Sequence, residues 1–126
     1  MLTKKILIVE DDRIQALVLS STLESLGYMI AGQATTAENA IALAGEKEPD
    51  LILMDIHLAG EKDGIYAAEQ ILADRNIPII YLTAYADQET VSRAKTTGPF
   101  GYILKPVNER ELKINIDIAF YKNSCC

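Results

Sequence analysis

Five short, nearly continuous apolar runs, separated by amphipathic segments, constrain this chain more than any other feature. The runs are Ile6 to Val9, Tyr28 to Ala34, Leu51 to Met54, Ile77 to Leu82 and Phe100 to Leu104. Each is bounded by turn-forming or charged residues, and several are rich in Ile, Val and Tyr. A run of this kind offers no polar face to water, so it suits a parallel strand covered on both sides. The intervening segments read as helices. Leu19, Leu23 and Leu26 recur at i, i+4 and i+7, and Gly27 follows as a stop. Thr35 and Glu38 have capping-box spacing ahead of Ala40, Ile41 and Ala44. Ile65, Ala68 and Leu72 mark a third helix, and Val91 and Ala94 a fourth that ends at Gly98-Pro99. Asn108 with Glu111 is spaced to cap a fifth, which carries Leu112, Ile116, Ala119 and Phe120 on one stripe. Strand and helix thus alternate five times, and right-handed crossovers make the sheet parallel with helices on both faces. The expectation is an α/β domain of (βα)5 type.

The chain has 126 residues, enough for one domain that folds without disulfides or a structural metal. No linker, low-complexity segment or second domain is visible, so 1–126 reads as a single domain. Its core spans about 5–121, with 122–126 as a tail. The formal net charge of −6 argues against direct nucleic-acid binding or adhesion to an anionic membrane. No stretch approaches the roughly 20 apolar residues of a membrane span, and Ile6 to Val9 is too short for a signal core. Cys125 and Cys126 are adjacent and cannot staple the fold. A cytoplasmic protein is expected.

In a parallel sheet all C-terminal strand ends share one edge, where ligands bind. Read in order, those ends carry Glu10-Asp11-Asp12, then Asp55, then Thr83, then Lys105-Pro106. Glu10, Asp11 and Asp55 would repel one another when crowded. A hard divalent cation relieves that repulsion, and an all-oxygen set favours Mg²⁺ with room left for a phosphate oxygen. Lys105 adds a compact positive charge and Thr83 a hydroxyl donor. Such a set can neutralise a phosphoryl group in transfer, and Asp55 is the carboxylate placed to act as nucleophile.

These residues lie in five motifs: ILIVEDD (6–12), DLILMD (50–55), DG (63–64), PIIYLTA (78–84) and GYILKP (101–106). In this order, over nearly the whole chain, they resemble the response-regulator receiver domain of two-component signalling, a chemotaxis-type phosphoreceiver. The resemblance implies a flavodoxin-like five-stranded parallel sheet in order 2-1-3-4-5. It implies Asp55 as phosphoacceptor, with Glu10 and Asp11 holding Mg²⁺ and His57 lending its backbone carbonyl. Thr83 corresponds to the switch hydroxyl, Lys105 to the family lysine and Tyr102 to the aromatic switch residue. The Lys105-Pro106 bond is expected to be cis. The implied function is a phospho-accepting switch rather than an enzyme, a signalling domain that assists its own phosphorylation and dephosphorylation. It would be charged by a sensor histidine kinase or phosphotransfer protein. A downstream protein or output domain would read the face of the fourth helix, fifth strand and fifth helix, and a phosphorylation-dependent dimer is a further possibility. One departure is local: Ala59 stands where the family has proline, and the loop before Asp63-Gly64 is one residue longer.

Plainer readings compete at several positions. Asp12 is better placed to cap the first helix than to bind metal. His57, the only histidine, is more simply a loop residue than a zinc ligand through its ring. Lys105 could snorkel along the surface, and Tyr102 could be plain core. Packing is the default for Tyr81 and Tyr85. A haloacid-dehalogenase-type phosphatase would need a second Asp two residues after the nucleophile, where this chain has His57. A receiver that is never phosphorylated would typically lose an acid or the lysine. Nucleotide binding lacks a glycine-rich or Walker loop after the first strand.

Overall fold

The structure, a computed structural model, describes residues 3–124. Five strands and five helices alternate: β1 (Lys5–Val9), α1 (Arg13–Ser25), β2 (Met29–Ala34), α2 (Ala37–Lys47), β3 (Leu51–Asp55), α3 (Gly64–Asp74), β4 (Ile79–Thr83), α4 (Gln88–Lys95), β5 (Gly101–Leu104) and α5 (Glu109–Ser124). All strands pair in parallel, in the order β2-β1-β3-β4-β5. This is the expected flavodoxin-like arrangement. The helix α5 runs to Ser124, so 122–124, expected as tail, is helical; Cys125 and Cys126 lie outside the described residues.

Successive residues of a strand point to opposite faces, and that alternation divides the core in two. Leu7, Val9, Ile52, Met54, Ile79 and Tyr81 face α2, α3 and α4. Ile6, Ile8, Leu51, Leu53, Ile80, Leu82 and Ile103 face α1 and α5. Every residue of β3 is buried, which is why its sequence shows no polar alternation. A fully buried Leu or Ile contributes about 1.5–3 kcal/mol. A one-residue slip would exchange the two faces of a strand and misaim the residue at its tip, so packing sets the register.

The helix N-termini lie along the same edge as the strand C-termini, and each has a side-chain cap. Asp12 accepts from the Gln15 amide (3.0 Å), Thr36 from Asn39 (3.1 Å), Asp63 from Tyr66 (2.9 Å), Asp87 from Thr90 (3.0 Å) and Asn108 from Glu111 (3.0 Å). Each such cap stabilises its helix by about 1 kcal/mol. The Asp12 and Asn108 caps are as expected. The second helix departs by one residue: Thr36, extended at φ −131° and ψ 163°, is the cap, while Thr35 lies in the bend that follows β2.

Three strands, β2, β4 and β5, start later than their apolar runs, and for the first two the backbone gives the reason. The Tyr28 amide donates to the Leu23 carbonyl (3.0 Å) and the Gly27 amide to Glu24 (3.1 Å), while Gly27 sits at φ +99°. This closing pair satisfies the end of α1 and reserves Tyr28 for it. Pro78 has no N–H to give to a ladder, so β4 begins at Ile79.

One glycine fixes how α3 leaves the site. The Gly64 amide donates to the Ile56 carbonyl at 2.7 Å. A Cβ on Gly64 would strike the Asp55 carbonyl oxygen and stand 2.9 Å from the Met54 side chain. Backbone cannot yield cheaply at a packed strand end. Gly64→Ala is therefore expected to lower unfolding free energy by about 2–3 kcal/mol in urea titration. A loss below roughly 0.5 kcal/mol, the ordinary surface value, would contradict this account.

Candidate functional site

Strands β1 and β3 are neighbours, although α1, β2 and α2 intervene between them in sequence. Their C-terminal ends therefore form the crevice where the chain reverses its winding, the usual ligand position in such sheets. Glu10 follows β1 and is only 4% exposed; Asp55 ends β3 and is 6% exposed. Asp11 is exposed beside them. One carboxylate oxygen from each of the three lies within 4.8 Å of the others.

Lys105, just past β5, reaches across this cluster. Its Nζ donates to Glu10 Oε1 at 2.6 Å and to Asp55 Oδ2 at 3.0 Å. The remaining oxygens are held by backbone: the Asp12 amide donates to Glu10 Oε2 (3.1 Å) and the His57 amide to Asp55 Oδ1 (3.2 Å). No buried side-chain nitrogen or oxygen among the described residues lacks a partner. The snorkelling alternative for Lys105 thus fails, since its ammonium points inward to two acids. The Lys105-Pro106 peptide is cis, as expected.

The charges are unevenly settled. Burial pushes Glu10 above the usual carboxylate range; the Lys105 ammonium pulls it down without cancelling the shift, and nearby Asp55 adds to it. Asp11 is also raised, by partial desolvation and by Glu10. Burial disfavours the Lys105 charge, but its bonds to Glu10 and Asp55 outweigh that, and its affinity for the proton rises. One cation therefore leaves the three acids under-neutralised. The donor set is all carboxylate oxygen among the described residues, with no sulfur or imidazole, and it fits a hard cation such as Mg²⁺ better than a softer metal. The His57 carbonyl, adjoining Asp55, is a further oxygen candidate.

The other expected residues lie on the same edge. Thr83 ends β4 and is fully buried, its hydroxyl accepting from the Tyr85 amide at 3.2 Å. Tyr102 on β5 is half-buried; its hydroxyl donates to the Tyr85 carbonyl at 2.8 Å. Tyr81 is plain core as expected: its hydroxyl is hydrogen-bonded to the Thr97 hydroxyl (2.7 Å), and burial pushes its pKa up to about 12. Tyr85 is not core. It is 51% exposed, and its ring lies 4.1 Å from the His57 ring, tilted by 52°. Sequence reasoning missed this contact. Only the strand register reveals it, because Asp55 pairs with Leu82 across β3 and β4. Residues two or three beyond those positions leave the sheet side by side. The altered loop also takes a definite course: Ala59 forms an isolated parallel bridge with Thr36, Gly60 turns at φ +95°, and Asp63 pairs with Arg93 of α4 at 3.0 Å.

Comparison with known proteins agrees with this geometry. The family profile described as response regulator receiver domain matches residues 6–117. The chain is 35% identical over 116 residues to the transcriptional regulatory protein PdtaR of Mycobacterium tuberculosis, covering 92% of this chain and 56% of that protein. It thus spans about half the length of the curated relatives it matches. Among solved structures, the signal receiver domain of a modulated diguanylate cyclase from Desulfovibrio desulfuricans superposes with a TM-score of 0.91. That domain is 42% identical, with 97% of each chain covered. A response regulator receiver domain protein from Methanospirillum hungatei gives a TM-score of 0.90 at 31% identity, with 98% of each chain covered. With its strand order and motifs matched along nearly its whole length, the chain belongs to the response regulator receiver domain family.

Proposed function

We propose that Asp55 accepts a phosphoryl group and that the resulting charge resets the loops around it, making the chain a signalling switch. The observation that carries this reading is the double contact of Lys105 with Glu10 and Asp55 beside Asp11. That arrangement concentrates negative charge around a nucleophilic oxygen and still provides a cation for incoming phosphoryl oxygens. Glu10, Asp11, Asp55 and the His57 carbonyl would hold Mg²⁺. Bound Mg²⁺ supplies the charge neutralisation that lets a phosphoryl group approach three carboxylates.

In the transfer, an Asp55 oxygen attacks the phosphorus of a phosphohistidine on a sensor kinase or phosphotransfer protein. The P–O bond forms, the P–N bond breaks with its electron pair going to the ring nitrogen, and the imidazole leaves neutral, keeping the proton already on its other nitrogen. Lys105 steadies the developing charge. Thr83 then offers its hydroxyl to a phosphoryl oxygen, which takes it from the Tyr85 amide, and Tyr102 turns inward. Water later hydrolyses the acyl phosphate. This is self-assisted modification, not turnover of a separate substrate, and the dehalogenase-type alternative still lacks its acid at position 57.

Two surfaces suit the partners. A groove of about 590 Å³ opens beside Glu10 and Lys105, walled by Ile14, Val18, Val107 and Leu112. Its continuity with the acidic site suits the phosphodonor. On α5, exposed Ile114, Ile118 and Tyr121 recur at i, i+4 and i+7, with exposed Leu104 on β5. That face suits an output partner or a second copy after phosphorylation. The net charge of −6 offers nucleic acid no basic face. Among the described residues no helix is long and apolar enough to cross a membrane. A cytoplasmic setting, where such kinases present their phosphohistidine, fits this role.

Intact mass after acetyl phosphate treatment should show one added phosphoryl group with Mg²⁺ and none with chelator. Asp55→Asn should gain none; equal labelling of that variant would remove Asp55 from its role. Lys105→Ala should still bind Mg²⁺, yet beryllofluoride should leave the amide resonances around Thr83 and Tyr102 unmoved. A wild-type response in that variant would oppose the part given to the lysine. The raised Glu10 and Asp11 set the pH dependence. Because each binds its proton more tightly folded than unfolded, any stability they contribute is present below their unfolded pKa values. It is lost as pH rises through the raised folded values. Mg²⁺ needs both ionised, so its stabilisation of the fold should be largest at neutral pH. It should fade on acidification before ordinary carboxylates protonate. Melting curves with and without Mg²⁺ across pH measure this; an increment independent of pH would count against the cluster as the site.

A further inference from the structure

We propose that the ion pair between Asp63 and Arg93 relays changes at Asp55 to the far end of α4. This rests on the reading of Asp55 as phosphoacceptor. The near end of α4 follows the loop after β4 along the chain, whereas Arg93 lies two residues from the helix's last residue, Lys95. Asp63 gives that far end its own link to the site. Its Oδ1 caps α3 by accepting from the Tyr66 amide at 2.9 Å, and its Oδ2 lies 3.0 Å from Arg93 Nη2. One carboxylate thus joins two helices through different oxygens. Asp63 is in turn fixed to the backbone of the phosphoacceptor. The next residue, Gly64, donates its amide to the Ile56 carbonyl at 2.7 Å, and it packs so closely that a Cβ there would strike the Asp55 carbonyl oxygen. Close-packed groups pass displacement on rather than absorb it. Movement of the β3 tip therefore reaches Gly64 by contact, Asp63 through the peptide bond and Arg93 by charge.

The other fixtures at this end of α4 lead to the sheet. Ala94 is fully buried, and the Thr97 hydroxyl meets that of Tyr81 at 2.7 Å. Arg93 instead meets the loop that leaves Asp55. Its side chain is 49% exposed, and an exposed ion pair adds little to global stability. Neither partner belongs to the acidic cluster or bonds to Lys105. Both are positioning residues: what they supply is a connection, read in how α4 responds to the site rather than in how well the chain folds.

Amide resonances recorded with and without beryllofluoride and Mg²⁺ test the relay. In wild type the probe should move the resonances of Ala94 to Gly98 as well as that of Thr83. Asp63→Asn keeps a capping oxygen and loses the charge, and Arg93→Gln breaks the pair from the other side. Each should cut the response of Ala94 to Gly98 by about half or more, while Thr83 responds as in wild type. Arg93→Lys should restore it, since the close approach is of one nitrogen to one oxygen and a point charge can replace it. All three variants should melt within about 3 °C of wild type, which separates a lost connection from a loosened helix. A full response in Asp63→Asn and Arg93→Gln, a loss that extends to Thr83, or an Arg93→Lys that behaves like Arg93→Gln overturns the relay alone. So does a wild type in which Thr83 responds and Ala94 to Gly98 do not. No binding of the probe by wild type overturns the phosphoacceptor reading and the relay together. Should Asp63→Asn fail to fold, Arg93→Gln and Arg93→Lys decide by the same outcomes.

Discussion

The site depends on one ammonium group. Two carboxylates, Glu10 and Asp55, end neighbouring strands with almost no exposure, and Lys105 bonds to both. At their spacing, mutual repulsion is on the order of 3–4 kcal/mol at the effective dielectric of a protein edge. Without a cation the pair would take up a proton or push the strand ends apart. Lys105 lies 95 residues from Glu10 and 50 from Asp55, so it arrives only when β5 docks beside β4. Closing the sheet and neutralising the site are thus one event.

The neutralisation is incomplete, and that incompleteness is useful. Burial first, and neighbouring acids after it, keep the proton affinities of Glu10 and Asp11 raised beside Lys105, and one ammonium faces three carboxylates that a divalent cation would relieve. A fully compensated site would bind Mg²⁺ weakly. A site with no lysine would hold metal but offer no second cation to a phosphoryl group. The same edge gathers five helix N-termini, each already capped by its own side chain. Because the caps satisfy those amides, the amides that can be exchanged are the few in the loops, above all the one from Tyr85 to Thr83.

The core was legible because buried strands cannot carry polar residues. Leu51 to Met54 announces a strand closed on both faces, and β3 is buried throughout. The tips were legible because a carboxylate or lysine at the end of such a run has no packing reason to be there. Boundaries were less so. Thr35 and Thr36 offer the same hydroxyl, and only the backbone course between β2 and α2 decides which one caps. Tyr28 and Ile77 continue apolar runs, but the end of α1 claims Tyr28, and the ladder starts only after Pro78. Tyr85 looked like another core aromatic, since composition cannot tell a ring that fills space from one that leaves it.

The sequence by itself determined the alternation of strand and helix, the two-sided burial of the sheet, and which acids and lysine stand at its edge. These follow from local periodicity and from the cost of burying charge without purpose. Tertiary structure alone decided which of those residues meet. Lys105 reaches both Glu10 and Asp55, and His57 meets Tyr85, because the order β2-β1-β3-β4-β5 brings distant strand ends together. Contact between residues far apart in the chain depends on register and packing across the sheet, and no local pattern encodes it.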